Sequence, residues 1–173
     1  MRRLRLLGCV LVVLLATVGT AWAANRHFHT HTTGDEEVPS RDTLAQGQAQ
    51  FRLSEDGTEL HYKLIAANIE NVFQAHIHLA APGANGMIVV WLFPSTAPVP
   101  GPTGGGRTDG VLAEGTITAA NLVGPLLGRP LSALVAEIEA GNTYVNIHTN
   151  DGVAPTDTGP GDFPGGEVRG QIR

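Results

Sequence analysis

Cysteine is almost missing from this sequence: Cys9 is the only one among 173 residues. A single cysteine cannot form an intramolecular disulfide, so the fold must be held together by an apolar core. No basic patch stands out beyond the first five residues, which argues against nucleic acid and anionic membrane surfaces as partners. We find no internal repeat and no coiled-coil pattern, and a single domain is the default for a chain of this length.

A long hydrophobic run occurs only at the start of the chain. The basic opening MRRLR leads into the apolar run LLGCVLVVLLATVG, and TAWA follows with the small residues Ala21 and Ala23 of a cleavage site. The run is shorter than the roughly 20 residues of a membrane span. We therefore predict a signal peptide at residues 1–23, with a retained N-terminal anchor as the alternative.

Cleavage after Ala23 would produce an exported protein, periplasmic or secreted, without stable membrane insertion. It would remove Cys9, so the mature chain could form no disulfide at all. It would also remove three arginines, which changes the formal net charge from −5 to about −8.

The remaining sequence has the pattern of an all-β sandwich or barrel, with short apolar runs separated by 22 glycines and 11 prolines. Apolar residues alternate in QAQFRL (48–53) and in LHYKLIAANI (60–69), and Asp56-Gly57 between them predicts a hairpin turn. The run Met87–Phe93 is almost continuously apolar, which predicts a central strand covered on both faces.

One short helix interrupts the strand pattern. Leu131, Leu134, Val135 and Ile138 follow helical spacing, and Gly141 stands where a glycine ends a helix. The other predicted elements are strands at 73–80, 111–118, 142–150 and 167–173, the last an edge or closing strand, and turn-rich loops at 94–110 and 151–166.

The stretch AHIHLAAPGANG contains two histidines separated by one residue in a predicted strand. His76 and His78 therefore face the same side, and imidazole is a ligand for zinc, copper, iron and nickel. His148 in YVNIHT is the candidate third ligand, and His61 is a weaker fourth. Alternatively, the pair hydrogen-bonds to the loop backbone and fixes the glycine turn. No nucleophile lies beside these residues, so we assign no catalytic residue and no cofactor-binding residue.

A second histidine-rich stretch, HFHTH, follows the predicted cleavage site. We interpret residues 24–31 as a solvated polar start of the mature chain. The alternative is a disordered or edge-strand segment that captures metal.

Charged residues near the end of the chain have two further interpretations. Asp151, Asp157 and Asp162 lack EF-hand spacing, which favours a solvated acidic loop over a calcium site. Arg169, on a predicted strand, is expected to pair with Glu167 or another carboxylate.

Three motifs, in chain order, resemble the CHRD domain: AHIHLAAPGANGMIVVWL, AGNTYVNIHT and GGEVRGQI. This family is named for its occurrence in chordin and is widespread in bacterial exported proteins. GDEEVPS and GQAQFRLSEDGTELHYKL resemble the opening of the same domain. The resemblance covers residues 32–173, so the predicted organisation is a signal peptide at 1–23, a histidine-rich segment at 24–31 and a CHRD domain at 32–173.

The resemblance implies an all-β, antiparallel fold, an immunoglobulin-like or superoxide-dismutase-like Greek-key sandwich or barrel, here with one short helix. CHRD domains have been likened to copper-zinc superoxide dismutases, which also have an H-x-H pair on a strand and a later histidine. His76, His78 and His148 fall on that pattern. The chain departs from it in having no disulfide and no zinc loop between His78 and Trp91, which leaves a copper-only or structural site.

Two functions follow from these observations. The first, which we favour, is an exported CHRD-domain module with a non-catalytic binding or structural role toward an unidentified protein or surface ligand. The alternative is a copper-binding, superoxide-dismutase-like protein that uses His76, His78 and His148. A spatial test separates them, because metal–nitrogen bonds of about 2 Å require the three rings to converge.

Overall fold

The computed structural model describes residues 26–95 and 100–173. The elements in these residues are strands β1 His27–Thr33, β2 Gln46–Leu53, β3 Leu60–Glu70, β4 Val72–Leu79, β5 Met87–Phe93, β6 Arg107–Ile117, β7 Thr143–Thr149 and β8 Val168–Gln171, the helix α1 Leu131–Glu139, and 3-10 turns at Gly34–Glu36, Ala119–Asn121 and Gly124–Leu126. The predicted signal peptide, residues 1–23, lies outside the described residues. Within them, α1 is too short to cross a membrane and no other helix could do so.

All eight strands join one antiparallel sheet in the order β5-β4-β7-β8-β1-β2-β3-β6. The sheet curls until β5 and β6 approach each other, so the barrel is nearly closed. After β4, β5 and β6 the chain returns as β7 to the free side of β4, which is a Greek-key connection. The predicted all-β, antiparallel fold with a short helix is confirmed, in its barrel form.

In the hairpin of β2 and β3, the alternation of apolar residues correctly predicts which side chains are buried. Ala49, Phe51 and Leu53 are buried, and so are Leu60 and Leu64 on the facing strand. Each strand places its apolar side chains inside the barrel and its polar ones outside.

The predicted helix is confirmed as well. Its four apolar residues are all buried. Gly141 adopts a φ of 73° just after the helix and donates its N–H to the Ile138 carbonyl at 2.9 Å. Glycine takes this left-handed conformation without the steric penalty of a side chain.

Strand β5 differs from the prediction, because it pairs with β4 alone and is not a central strand. Its other edge faces β6 across a gap, which we call the seam. The Tyr62 hydroxyl donates to the Leu92 carbonyl at 2.7 Å, and the Val123 N–H donates to the Val89 carbonyl at 2.9 Å. These contacts cover the free edge of β5, so Val89, Val90 and Leu92 are buried without a second strand neighbour, whereas Met87 is exposed.

The histidine-rich stretch also differs from both of its interpretations. Residues 27–31 belong to β1, which lies inside the sheet between β8 and β2. His27, His29 and His31 are exposed, whereas Phe28 is buried, so only the side chains are solvated. The segment is neither disordered nor an edge strand, because its backbone pairs on both sides.

The start of β6 and the position of β8 in the sheet differ from the predictions. Strand β6 begins at Arg107, inside the predicted loop, because its pairing with β3 continues past two register irregularities. Gly110, with a φ of 129°, lies in this irregular part of the strand. Strand β8 is an interior strand between β7 and β1, which excludes the predicted edge position.

Candidate metal centre

Three histidines lie together on the outer face of the barrel, and we call them the histidine triad: His76, His78 and His148. The first two come from β4, and the third from β7, its hydrogen-bonded neighbour. Ile77 and Ile147 alternate with them and pack in the core. Because successive side chains on a strand face opposite sides, the three imidazoles point away from that core.

The three rings of the triad converge on one region. One nitrogen from each ring can be chosen so that all three lie within 4.8 Å of one another. Ring centroids are 5.0 Å apart for His76 and His148, and 5.5 Å apart for His76 and His78. Among the residues described, no other group of three histidine, cysteine or acidic side chains converges in this way.

Hydrogen bonds to the backbone determine the tautomer of two rings. The Nδ1 atom of His78 lies 3.0 Å from the Gly86 carbonyl, and that of His148 lies 2.9 Å from the Pro164 carbonyl. A carbonyl oxygen can only accept, so each Nδ1 carries the hydrogen and donates it. The Nε2 atoms of both neutral rings therefore carry free lone pairs.

The third ring faces one of these lone pairs. The Nδ1 atom of His76 lies 3.2 Å from the Nε2 atom of His148. The Nε2 atoms of His76 and His78 have no hydrogen-bond partner among the described residues, although both are buried. Leaving a buried polar atom without a partner costs about 1–3 kcal/mol, and a cation shared by the rings would remove that cost.

Burial keeps the triad neutral. It lowers the pKa of His76 to about 2, with the neighbouring His148 and His78 adding to the effect. Burial lowers the pKa of His148 to about 4, and His78 again contributes. The pKa of His78 falls for the same reason, with the charge of Arg169 as a smaller cause. Neutral imidazole is the form that binds metal.

The sequence model of the CHRD domain matches residues 28–156, which include all of the histidine triad. The chain belongs to the CHRD domain family. The matched residues end before β8, but β8 pairs with β7 and β1 in the same sheet. The boundaries at 24–31 and 32–173 stay predictions. We found no match among curated proteins and none among solved structures.

A three-layer stack supports one side of the histidine triad in this CHRD domain. The Tyr144 ring lies parallel to the His78 ring, with centroids 4.8 Å apart and 9° between the planes. On its other face lies the Arg169 guanidinium, 3.5 Å from the ring centroid. Tyr144 and Arg169 are both buried, so the stack fixes the orientation of His78.

The same stack anchors the loop between β4 and β5. Arg169 donates to the Ala84 carbonyl at 2.9 Å and to Asn85 Oδ1 at 3.1 Å. The Gly86 N–H donates to the Tyr144 hydroxyl at 3.1 Å. The interpretation that the histidine pair hydrogen-bonds to the loop backbone is therefore correct for His78, which contacts the Gly86 carbonyl. The loop also holds the His78 imidazole in place.

A buried carboxylate anchors the loop that carries the other carbonyl acceptor. Glu167 accepts from the hydroxyls of Thr43 and Thr149, both at 2.6 Å, and from the Gly161 N–H at 2.9 Å. These three hydrogen bonds occupy the Glu167 carboxylate, and it does not pair with Arg169. The predicted ion pair between Arg169 and Glu167 is wrong. Within the described residues, Arg169 forms no salt bridge to any carboxylate.

The acidic group electrostatically coupled to Arg169 is Glu37, which is also buried. Burial raises its pKa to about 7, against the opposing charges of Arg169 and Arg41. Near neutral pH this carboxyl is therefore protonated in a large fraction of molecules. As a result, Arg169 receives only partial charge compensation beside the metal centre.

The other candidate ligands lie apart from the triad. His61 is on β3, where its Nδ1 atom lies 3.0 Å from the Thr116 hydroxyl, so it is not a fourth member. The exposed histidines of β1 do not join the triad either.

The three aspartates of the loop at 151–166 do not form a calcium site in the described residues. Asp157 pairs with Arg41 at 3.0 Å. Asp162 accepts two hydrogen bonds from Thr158. Asp151 caps the backbone N–H of a neighbouring residue. Asp151 and Asp162 thus stabilise their own turns, and Asp157 ties the loop to Arg41.

Sequence reasoning missed three aromatic residues at the triad, Phe73 beside His148, Trp91 and Tyr144. The Trp91 ring lies edge-on to His76, with centroids 4.2 Å apart and 82° between the planes. Tyr144 stacks on His78 as described. Alternation along β7 places Tyr144 on the same face as His148 and was a usable signal, whereas the contact of Trp91 depends on the register between β4 and β5.

Proposed function

We propose that this CHRD domain protein is an exported module that binds one copper ion through His76, His78 and His148 and has a non-catalytic role. The observation that carries the proposal is the convergence of three buried, neutral imidazoles, two of which have a nitrogen without a partner. Two of the rings also donate their other N–H to a backbone carbonyl, as metal-binding histidines usually do. Export is supported by the signal-peptide pattern of residues 1–23.

Copper is the metal that this set of ligands favours. Among the divalent first-row metals, copper binds a given set of nitrogen ligands most tightly. Structural zinc sites are almost always four-coordinate, and the described residues contribute only three converging ligands. Copper bound by neutral imidazoles can also change its oxidation state.

The charge around the triad favours the monovalent state of that copper. The buried Arg169 lies close enough to lower the pKa of His78, and no carboxylate belongs to the ligand set. A low-dielectric site without a counter-charge penalises each additional positive charge. Copper(I) therefore fits this environment better than copper(II) or zinc(II).

Burial supports a role in holding the ion. His76 has no exposed surface, and His78 and His148 are 8% and 5% exposed. A superoxide-dismutase-like reaction would require the substrate to reach the metal, and the covering side chains oppose such access. The protein partner or surface ligand of the module stays a prediction.

The test is the copper content of untagged protein purified from its export compartment, compared with a His76→Ala, His148→Ala double variant. We expect about one copper per chain in the natural protein and none in the variant. The control is His61→Ala, which removes a half-exposed histidine outside the triad and should leave the copper content unchanged.

Fluorescence provides a second readout for the same site. The chain has two tryptophans, Trp22 and Trp91, and the expected cleavage after Ala23 removes Trp22, so the exported protein reports on Trp91 alone. Copper(II) bound next to His76 should quench this emission at one equivalent. Protein that contains no metal and refuses added copper would contradict the proposal and leave the triad with a structural role.

A further inference from the structure

Trp91 connects the most deeply buried ring of the triad to the surface. Its indole contacts His76, which has no exposed surface of its own. Trp91 is only half-buried, and it lines an open cleft of about 250 Å³ at the seam, together with Glu114 and Thr116. One aromatic side chain thus spans the distance from the metal centre to a surface cleft.

The other two aromatic side chains that contact the triad are buried and do not line the cleft. Phe73 lies edge-on to His148 at 6.4 Å and is 8% exposed. Tyr144 stacks on His78 and is 1% exposed. Among these three aromatic side chains, Trp91 is the one that both contacts a candidate ligand and reaches the surface.

From this arrangement we infer that Trp91 is the path by which electrons pass between copper at the triad and a one-electron redox partner at the seam. The inference rests on the proposed copper site. In one direction the partner loses one electron and copper(II) becomes copper(I); in the other direction copper(I) returns the electron. No bond forms or breaks, and no proton is transferred in the step.

The physical argument is one of distance and contact. Electron transfer weakens steeply with the gap between donor and acceptor, and the burial of the triad prevents a partner from touching the metal. The edge-to-face contact of Trp91 with His76 replaces part of that gap with a large, polarisable ring system. A partner in the cleft needs to approach only Trp91.

The experiment measures how fast copper(II) in the protein is reduced by hexaammineruthenium(II), a substitution-inert complex that cannot coordinate to the buried metal. Natural protein, Trp91→Phe and Trp91→Leu are loaded with copper(II) and mixed with the complex in a stopped-flow instrument. Phe73→Leu is the matched control, because it removes an aromatic contact of the triad that does not reach the seam.

We expect the second-order rate constant to fall by about tenfold in Trp91→Leu, which corresponds to about 1.4 kcal/mol in the barrier. Trp91→Phe, with a ring too short to span the distance to the cleft, should also be slower, and Phe73→Leu should react at the natural rate. Copper content and the copper(II) spectrum provide a readout that is independent of rate.

Equal rates in natural protein and both Trp91 variants, each with one copper, would overturn the inference and leave the copper site intact. Equal slowing in Phe73→Leu would also overturn it, because general loosening of the site would then explain the result. Natural protein without copper would instead contradict the proposed function. If Trp91→Leu alone fails to hold copper, the Trp91→Phe rate decides between a path and a packing role.

Discussion

Two groups of three histidines on the same barrel have opposite environments. The triad of His76, His78 and His148 is buried and convergent. The surface histidines of β1, at positions 27, 29 and 31, are exposed and spread along one strand. Both groups contain H-x-H spacing, so the spacing alone cannot be what makes a metal centre.

The difference arises from the neighbouring strand and from the covering loops. Alternate residues on a strand are about 6.8 Å apart, so three on one strand cannot all reach one ion with short bonds. The triad takes its third ring from the adjacent strand β7. The loops that carry Gly86 and Pro164 then cover and orient the rings. The surface histidines face glutamine and arginine across the sheet, with no converging third ring.

The largest difference between the groups should be in copper binding. Replacing His76, His78 and His148 by alanine should abolish the single buried copper, because every protein ligand is removed. Replacing the three surface histidines by alanine should leave that copper in place. Isothermal titration with copper(I) held by a competing chelator measures both.

The assignment of copper to the triad would be wrong if the surface variant lost the tightly bound copper while the triad variant kept it. Loss in both variants, with unchanged circular dichroism spectra, would mean that the two groups cooperate. Neither result is compatible with a metal centre confined to the triad.

The next effect is on the stability of the copper-free protein at low pH. The pKa values of His76 and His148 fall from 6.5 in the unfolded chain to about 2 and about 4 in the fold. Between pH 6.5 and about 4 the unfolded chain therefore binds more protons, and folding stability decreases as the pH falls. Each imidazole that stays neutral contributes about 1.4 kcal/mol per pH unit. Urea unfolding across this range measures the slope.

Glu37 changes folding stability with pH in the opposite direction, so it reduces the slope expected from the two histidines. Its pKa is about 7 in the fold and 4.5 in the unfolded chain, so its contribution to stability is lost as the pH rises through this range. In Glu37→Gln the histidine slope should be steeper. A slope unchanged by His76→Ala, His148→Ala would show that the triad is not the origin of the acid sensitivity.

A smaller effect is expected from a glycine that shapes the covering loop. A Cβ at Gly86 would lie 2.0 Å from the Leu79 carbonyl oxygen, so Gly86→Ala must displace the backbone that accepts the hydrogen bond from His78. Loss of such an orienting contact lowers metal affinity by about 10–100-fold. Copper titration against a chelator measures the change.

Gly83→Ala is the control in the same loop. Its Cβ would meet no atom within 4 Å, but its φ of 76° carries a backbone penalty of about 1–2 kcal/mol. We expect a modest loss of stability with unchanged copper affinity. Equal copper affinity in the two variants would show that the Gly86 carbonyl does not orient His78.

The smallest effect concerns one hydrogen bond. Tyr144→Phe keeps the ring between His78 and Arg169 but removes the hydroxyl that accepts from the Gly86 N–H. The expected loss of stability is about 1 kcal/mol, with a slight loss of copper affinity. Tyr62→Phe at the seam should lose similar stability without any change in copper binding, because its hydroxyl donates to Leu92. Thermal unfolding with and without copper distinguishes the two.

Alternation and glycine placement were enough to predict most strands and the helix, because burial on one face leaves a period-two or helical pattern. They were not enough for β1, whose inner face contains Thr30 and Thr32 beside Phe28 and so lacks an apolar signal. They also misplaced β5, because covering by Tyr62 and Val123 gives the same apolar run as a second strand neighbour.

The metal centre was only partly readable for a related reason. Alternation predicts that His76 and His78 share a face, and it does so without knowledge of pairing. His148 could be named as a candidate because it lies near the end of a predicted strand, but its approach to His76, like that of Trp91, depends on the register of β4 against β7 and β5, which local sequence does not encode. The backbone carbonyls that orient the rings leave no side-chain signature at all.

His76 and His148 are 72 residues apart in the chain. The two ligands meet only when β7 pairs with β4, and β5, β6 and α1 lie between these two strands in the chain. Metal capture at the proposed copper site would therefore require β4 and β7 to have paired, so it would distinguish a chain with this long-range pairing from one without it.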